Sequence, residues 1–201
     1  MNTTPSTTTV AIIGTGFGGL GMAIKLKQAG IPFTIFEKES AVGGCWRDNH
    51  YPGAACDVPS HLYSYSFEPN DRWSRRFAPQ REIHAYLEHC ATKYGLHEHI
   101  RFNTEIAGAD FDEAAGIWRL RTTGGEVVEA RALVSACGQL NRPATPRIEG
   151  IEEFEGPAFH SARWDHDVDL TAKTVAVIGT GASAIQFVPE IAPQVGKLHV
   201  F

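Results

Sequence analysis

Apolar positions along this chain switch between strand-like runs and helical spacing, and they do so twice. Residues 10–13, Val-Ala-Ile-Ile, form an unbroken apolar run of strand length. Leu20, Ala23, Ile24 and Leu26 then recur at helical spacing until Gly30 stops the run. Residues 32–36, Pro-Phe-Thr-Ile-Phe, predict a second strand with Glu37 at its carboxyl end. A clear amphipathic helix is predicted further on, where Ile83, Leu87, Cys90, Ala91 and Tyr94 share one face. Short strands follow at 100–103, 106–111, 117–122 and 127–130, and residues 132–136 predict a buried strand that ends at Cys137-Gly138. Residues 173–178 open a second strand–helix–strand pattern. Its helix begins near Ala182 and carries Ile185, Phe187, Val188 and Ile191, and its second strand falls at 198–201.

Two stretches carry no period, 40–79 and 141–169. Irregular segments of that length inside compact domains are functional or disordered. The aromatic and apolar content of the first points to function. Within it Tyr63, Tyr65 and Phe67 alternate with smaller residues, which predicts an aromatic strand face. The domain boundary is placed near the end of the second stretch, giving one domain over 10–168 and the start of another over 169–201. The polar, threonine-rich residues 1–9 are expected to be a disordered leader.

Composition changes this picture little. A net charge of −5 gives no reason to expect nucleic acid or an anionic membrane as partner. No apolar run approaches the ~18 residues of a membrane span, and residues 1–9 lack the basic and apolar regions of a signal peptide. A cytoplasmic protein is expected. The cysteines, Cys45, Cys56, Cys90 and Cys137, stand at wide, irregular separations that fit neither a zinc knuckle nor a disulfide framework. His97-Glu-His99 lies beside the Gly95-Leu96 helix stop, and no metal site is predicted there.

The chemistry sits in the turns. Gly14-Thr15-Gly16-Phe17-Gly18-Gly19 follows the first strand and opens the first helix. In such a turn the first glycine allows the tight exit from the strand, the second lets a pyrophosphate reach the backbone, and the third lets helix and strand pack closely. The free N–H groups and the positive dipole end of the helix hold the phosphates. Glu37 stands where an acidic side chain accepts from ribose hydroxyls, which disfavours a 2′-phosphate and points to FAD or NAD at this site. Gly179-Thr180-Gly181-Ala182-Ser183-Ala184 repeats the pattern with alanine as the small third residue. The residue that would distinguish NADPH from NADH is expected beyond Phe201. Two such turns in series point to two nucleotide cofactors meeting at one reaction centre. Cys45 and Cys56 invite a disulfide-reductase reading, but their separation and the intervening Pro52-Gly53 turn do not suit a redox dithiol. Asp57, read from its neighbours alone, is a turn cap.

A third signature is Phe154, Gly156, His160, Trp164 and Asp165 in the spacing FxGxxxHxxxWD, just before the second glycine turn. With both glycine turns, Gly44-x-Trp46, the Tyr51-Pro52-Gly53 to Asp57 loop and Ala136-x-Gly138, it closely resembles the type I Baeyer–Villiger monooxygenases of the flavin-containing monooxygenase superfamily. The resemblance implies an α/β fold: a Rossmann-like FAD-binding domain followed by the start of a second, incomplete Rossmann-like NAD(P)-binding domain. It implies that FAD and NADPH are the cofactors, and that a small-molecule ketone and O2 become an ester or lactone through a flavin peroxide. By position, Gly14, Gly16 and Gly19 would hold the FAD pyrophosphate and Glu37 its ribose. Gly44, Cys45, Trp46 and Arg47 would line the flavin, with Asp57 and Tyr63 close to its ring system. Gly179 to Ala184 would cradle the nicotinamide cofactor, and Asp57 would pair with a catalytic arginine. His160 and Trp164 would couple domain movements. The chain is expected to be an N-terminal part that is inactive alone.

Two other readings fit parts of this pattern. An N- or S-oxidising flavin monooxygenase usually lacks the Trp164-Asp165 ending. A non-catalytic nucleotide-binding module would be a naturally short, soluble protein with a covered sheet edge.

Overall fold

The computed structural model describes residues 5–201. In chain order its elements are β1 (Ser6–Ile13), α1 (Phe17–Gln28), β2 (Phe33–Phe36), α2 (Cys45–Asp48), α3 (Gln80–Lys93), β3 (Ile100–Arg101), β4 (Ile106–Asp112), β5 (Ile117–Thr122), β6 (Val127–Ser135), β7 (Thr174–Val177), α4 (Ala182–Ile191) and β8 (Lys197–Val200).

The chain divides into two units. One comprises the residues up to Arg47 together with His84–Asn141. Its six-stranded sheet has the order β3-β2-β1-β6-β5-β4. β3, β2, β1 and β6 run parallel, and β5 and β4 complete the sheet as an antiparallel meander. The parallel connection from β1 to β2 runs through α1, whose Leu20, Ala23 and Ile24 are fully buried, as are Ala11, Ile12 and Ile35 on the strands. A second cluster, Ala11, Phe36, Leu120, Val128 and Ala130, joins the meander to the parallel strands.

Three sequence expectations change here. Residues 6–9 of the expected leader lie in β1, paired with β6 from Ser6↔Val128 to Thr8↔Ala130; Met1–Thr4 lie outside the described residues. Threonine is polar but β-branched, and the ladder is made by backbone groups, so polarity alone did not mark the segment as irregular. The two strands expected at 127–130 and 132–136 are one, β6, which continues through exposed Arg131. Its second half is less buried than expected: Ala132 and Ser135 are exposed and Leu133 and Val134 half-buried, because β5 pairs only as far as Ala130. The aromatic strand face is also absent: Ser60–Leu62 is a short 3-10 turn, and Tyr65 bonds back to Glu68 in a turn with its ring stacked on Phe67 at 4.9 Å.

An ion pair ties β3 to the turn before β6. Arg101 Nη1 and Nη2 donate to Glu126 Oε1 and Oε2 at 2.9 and 2.5 Å, and Ser6 Oγ donates to Oε1 at 2.8 Å. The Arg101 hydrogen bond, followed by that from Ser6, holds the Glu126 carboxyl at about 2, below its ordinary 4.5. A depressed carboxyl contributes stability that is present above its unfolded value and lost as pH falls through the folded one. Wild-type unfolding midpoints should therefore decline between about pH 4.5 and 2, and Glu126→Gln should flatten part of that slope. Both side chains are more than a third exposed, so the contribution is modest. An unchanged slope in urea titrations across that window would refute the assignment.

The other unit comprises Asp48–Ile83 and Arg142–Phe201. Its strand–helix–strand element is a parallel β7-β8 pair joined through α4. Val177, Ala184, Phe187 and Ile191 form its core, and Tyr51, Trp164 and Leu170 pack against them. These contacts explain why the division differs from the expected boundary at 168/169: residues 48–83 and 142–168 pack with the second glycine turn.

Candidate functional site

In the first unit the parallel strands deliver a side-chain-free turn. Gly14 leaves β1 at φ +98°, a conformation that strongly favours glycine. A Cβ on Gly19 would stand 1.9 Å from Gly14 O, so α1 starts in direct backbone contact with the turn. Gly16 caps α1 with no side-chain hydrogen bond, and no acidic residue occupies the first turn. The opening N–H groups and the positive helix end are thus left for an anion. Gly44 approaches from the Gly43-Gly44 turn that precedes α2, where a Cβ would lie 3.0 Å from Gly16 Cα. Gly43 N donates to Thr15 O at 3.1 Å, which fixes the two turns against each other. A pyrophosphate suits a cradle of this kind, lined by backbone and closed to side chains. Phe17 stacks on Tyr86 with centroids 6.0 Å apart, and Gly18 is exposed.

Glu37 is only 4% exposed, and its carboxylate is already engaged. Oε2 accepts from Thr15 N at 2.9 Å and Thr15 Oγ1 at 2.5 Å, and Oε1 accepts from Glu39 N at 3.0 Å. The residue expected to read a ribose therefore also holds the glycine turn in shape. Four lone-pair positions leave Glu37 room to accept a further hydroxyl, with the Thr15 hydroxyl free to rotate. Arg47 Nη1 stands 3.7 Å from Glu37 Oε1 and donates to Ala41 O at 2.6 Å. The Arg47 guanidinium thus braces the Gly43-Gly44 turn. Cys45 is exposed and Trp46 half-buried on α2.

In the second unit the other glycine turn leaves its strand and caps its helix as the first does. Gly179 has φ +109°, close to Gly14, and Gly181 caps α4 without a side-chain bond, as Gly16 does α1. Thr180 and Ala182 are exposed, Ser183 is half-buried, and Ala184 is buried where Gly19 stands in the first turn. Asp57, exposed, and Tyr63, half-buried, belong to this same unit. The signature segment is here too. His160 Nδ1 accepts from Ala162 N at 3.0 Å, and Trp164 packs on Phe187 of α4 at 5.2 Å and on Phe159 at 5.3 Å.

Sequence reading missed Gln186, which bonds Tyr51 and Ala55 across 135 and 131 residues. It also missed Thr15 as the partner of Glu37. Only the second had a local signal, a hydroxyl residue inside a glycine turn. No disulfide joins the four cysteines, and burial pushes the Cys56 thiol up. Among the described residues no group of three or more His, Cys, Asp or Glu could hold a metal. No described helix is long and apolar enough to cross a membrane.

The parallel sheet, its glycine turn and the buried acidic strand end define a Rossmann-like dinucleotide-binding protein. Residues 11–200 match the pyridine nucleotide-disulphide oxidoreductase family, and the chain belongs to that family. It is 58% identical over 193 residues to a Baeyer-Villiger monooxygenase of Pseudomonas aeruginosa, covering 96% of this chain and 37% of that protein. A Baeyer-Villiger monooxygenase of Streptomyces coelicolor is 53% identical over the same shares. Among solved structures, an oxidized steroid monooxygenase bound to NADP superimposes with a TM-score of 0.90 at 45% identity, covering 98% of this chain and 39% of that one. A cyclohexanone monooxygenase from Rhodococcus sp. Phi1 bound to NADP+ gives 0.92 at 37% identity, covering 98% and 38%. The resemblance to Baeyer–Villiger monooxygenases is thereby borne out, for a chain that spans under two-fifths of the length of these relatives.

Proposed function

We propose that the complete protein is a flavin-dependent monooxygenase that converts a small ketone to an ester or lactone with NADPH and O2. The observation that carries the reading is the signature segment, whose Trp164 packs against Phe187 on the helix of the second glycine turn. Bound FAD, reduced by NADPH, supplies the activation of O2 in this chemistry. This chain's residues bind and orient. Backbone N–H groups at the start of α1 hold the FAD pyrophosphate, with Gly14 to Gly19 keeping side chains out of the way. Glu37 accepts from the adenosine ribose. Gly44, Cys45, Trp46 and Arg47 flank the flavin. The turn from Gly179 to Ala184 takes the NADPH phosphates by the same means. Asp57 is assigned the orientation of an arginine supplied by another part of the protein, and Tyr63 a place near the flavin ring. The family's name includes disulphide chemistry, but a raised Cys56 thiol is a poor nucleophile, and no pair is needed here. Four cysteines outside any disulfide suit a cytoplasmic setting.

The test supplies the complete protein with NADPH, O2 and a panel of cyclic and linear ketones. Ketone-dependent ester or lactone formation, read by mass spectrometry, is the expected result. Oxidised amines or thioethers without any ester would place the protein among the N- and S-oxidising enzymes instead.

A further inference from the structure

Gln186 lies in the second turn of α4, the helix that the second glycine turn opens, yet its side chain serves a distant loop. Its Oε1 accepts from Tyr51 Oη at 2.8 Å and from Ala55 N at 3.3 Å, while Nε2 donates to Ala55 O at 2.9 Å. The amide thus engages both backbone groups of Ala55, as a neighbouring strand would. Only a primary amide of this length offers an acceptor and a donor in that arrangement. The contact is reinforced on either side. A Cβ on Gly53 would stand 2.7 Å from Gln186 O, so the loop lies directly on the helix backbone. The next residue, Phe187, meets the Tyr51 ring edge-on at 6.2 Å and Trp164 at 5.2 Å. Two residues beyond Ala55 the loop presents Asp57, exposed.

We infer that Gln186 is a positioning residue: it ties residues 51–57 to the helix of the second glycine turn, so that a dinucleotide held at that turn sets where Asp57 stands. The ligand half of this inference rests on the function proposed above; the tie itself does not. A helix that closes on a phosphate shifts as a rigid body, and the loop clamped to its second turn shifts with it. A ligand bound by backbone N–H groups then reaches a carboxylate it never touches.

The experiment is hydrogen exchange by mass spectrometry on the complete protein, with and without NADP+, for wild type and Gln186→Met. Without ligand, the variant should exchange the 51–57 segment at least about fivefold faster than wild type, because the Ala55 amide loses its acceptor. NADP+ should slow exchange of that segment in wild type and leave it unchanged in the variant, while NADP+ affinity stays within about threefold. Gln186→Leu removes the acceptor and the donor together, and should reproduce the loss if the methionine variant fails to fold. Equal exchange in ligand-free wild type and variant overturns the inference. So does equal protection of both by NADP+. If NADP+ does not bind wild type at all, the functional reading fails, and the ligand-free comparison still decides whether Gln186 holds the loop.

Discussion

Gly19→Ala is expected to destabilise the first unit by about 3 kcal/mol and to yield protein without bound flavin. The added Cβ would stand 1.9 Å from Gly14 O and 2.9 Å from Gly14 C. Both are backbone atoms of a turn whose own φ of +98° leaves it little freedom to move. Relief requires α1 to lift off β1, which opens the buried contacts of Leu20, Ala23 and Ile24 and spoils the helix end proposed to receive the phosphates. The second glycine turn supplies an internal control. Ala184 occupies the matching position and is buried with a Cβ already in place, so Ala184→Gly should cost only about 0.5–1 kcal/mol, the ordinary penalty of glycine in a helix. Urea unfolding of both variants, with flavin content measured after purification, tests the pair. Equal small losses would show that the close approach of helix and turn is not rigid.

Glu37→Gln is expected to cost about 2 kcal/mol and to lower flavin affinity at least about tenfold. Both carboxylate oxygens face backbone N–H donors, Thr15 N on one and Glu39 N on the other. Whichever way the new amide turns, its NH2 group meets one of them, and a buried donor is left without an acceptor. The Thr15 hydroxyl can rotate to accept, but the amides cannot. The glycine turn then loses the anchor that holds it over the strand end, in addition to the acceptor proposed for the ribose. Thermal unfolding with and without added FAD separates the two losses. A variant with wild-type stability and wild-type flavin retention would remove Glu37 from both roles.

The elements that carry these effects were legible in the sequence because their determinants are local. Val10 to Ile13, the glycine turn and Glu37 lie within one strand–helix–strand stretch, and each glycine's task follows from its place in the turn. Features built by distant residues were not. Gln186 and Tyr51 are 135 residues apart, and neither carries a periodic or compositional signal. Segments whose backbone pairing ignores side-chain polarity were misread for the same reason: Ser6 to Thr9 looked like a leader, and Arg131 looked like a break in what is one continuous strand. Tyr63, Tyr65 and Phe67 alternate as strand residues do, yet the Glu68 N to Tyr65 O bond closes a turn there. The grouping of residues 48–83 with the second glycine turn depends on Tyr51 and Trp164 meeting the α4 core, which no linear reading of the chain anticipates.

The most direct test of two nucleotide sites working in series is anaerobic mixing of the purified complete protein with NADPH while the visible absorbance of its bound flavin is followed. If the first turn holds FAD and the second delivers NADPH, flavin copurifies with the protein and its absorbance bleaches on mixing. Protein that carries no flavin and takes up none, or bound flavin that NADPH leaves oxidised, would contradict the assignment of the two glycine turns.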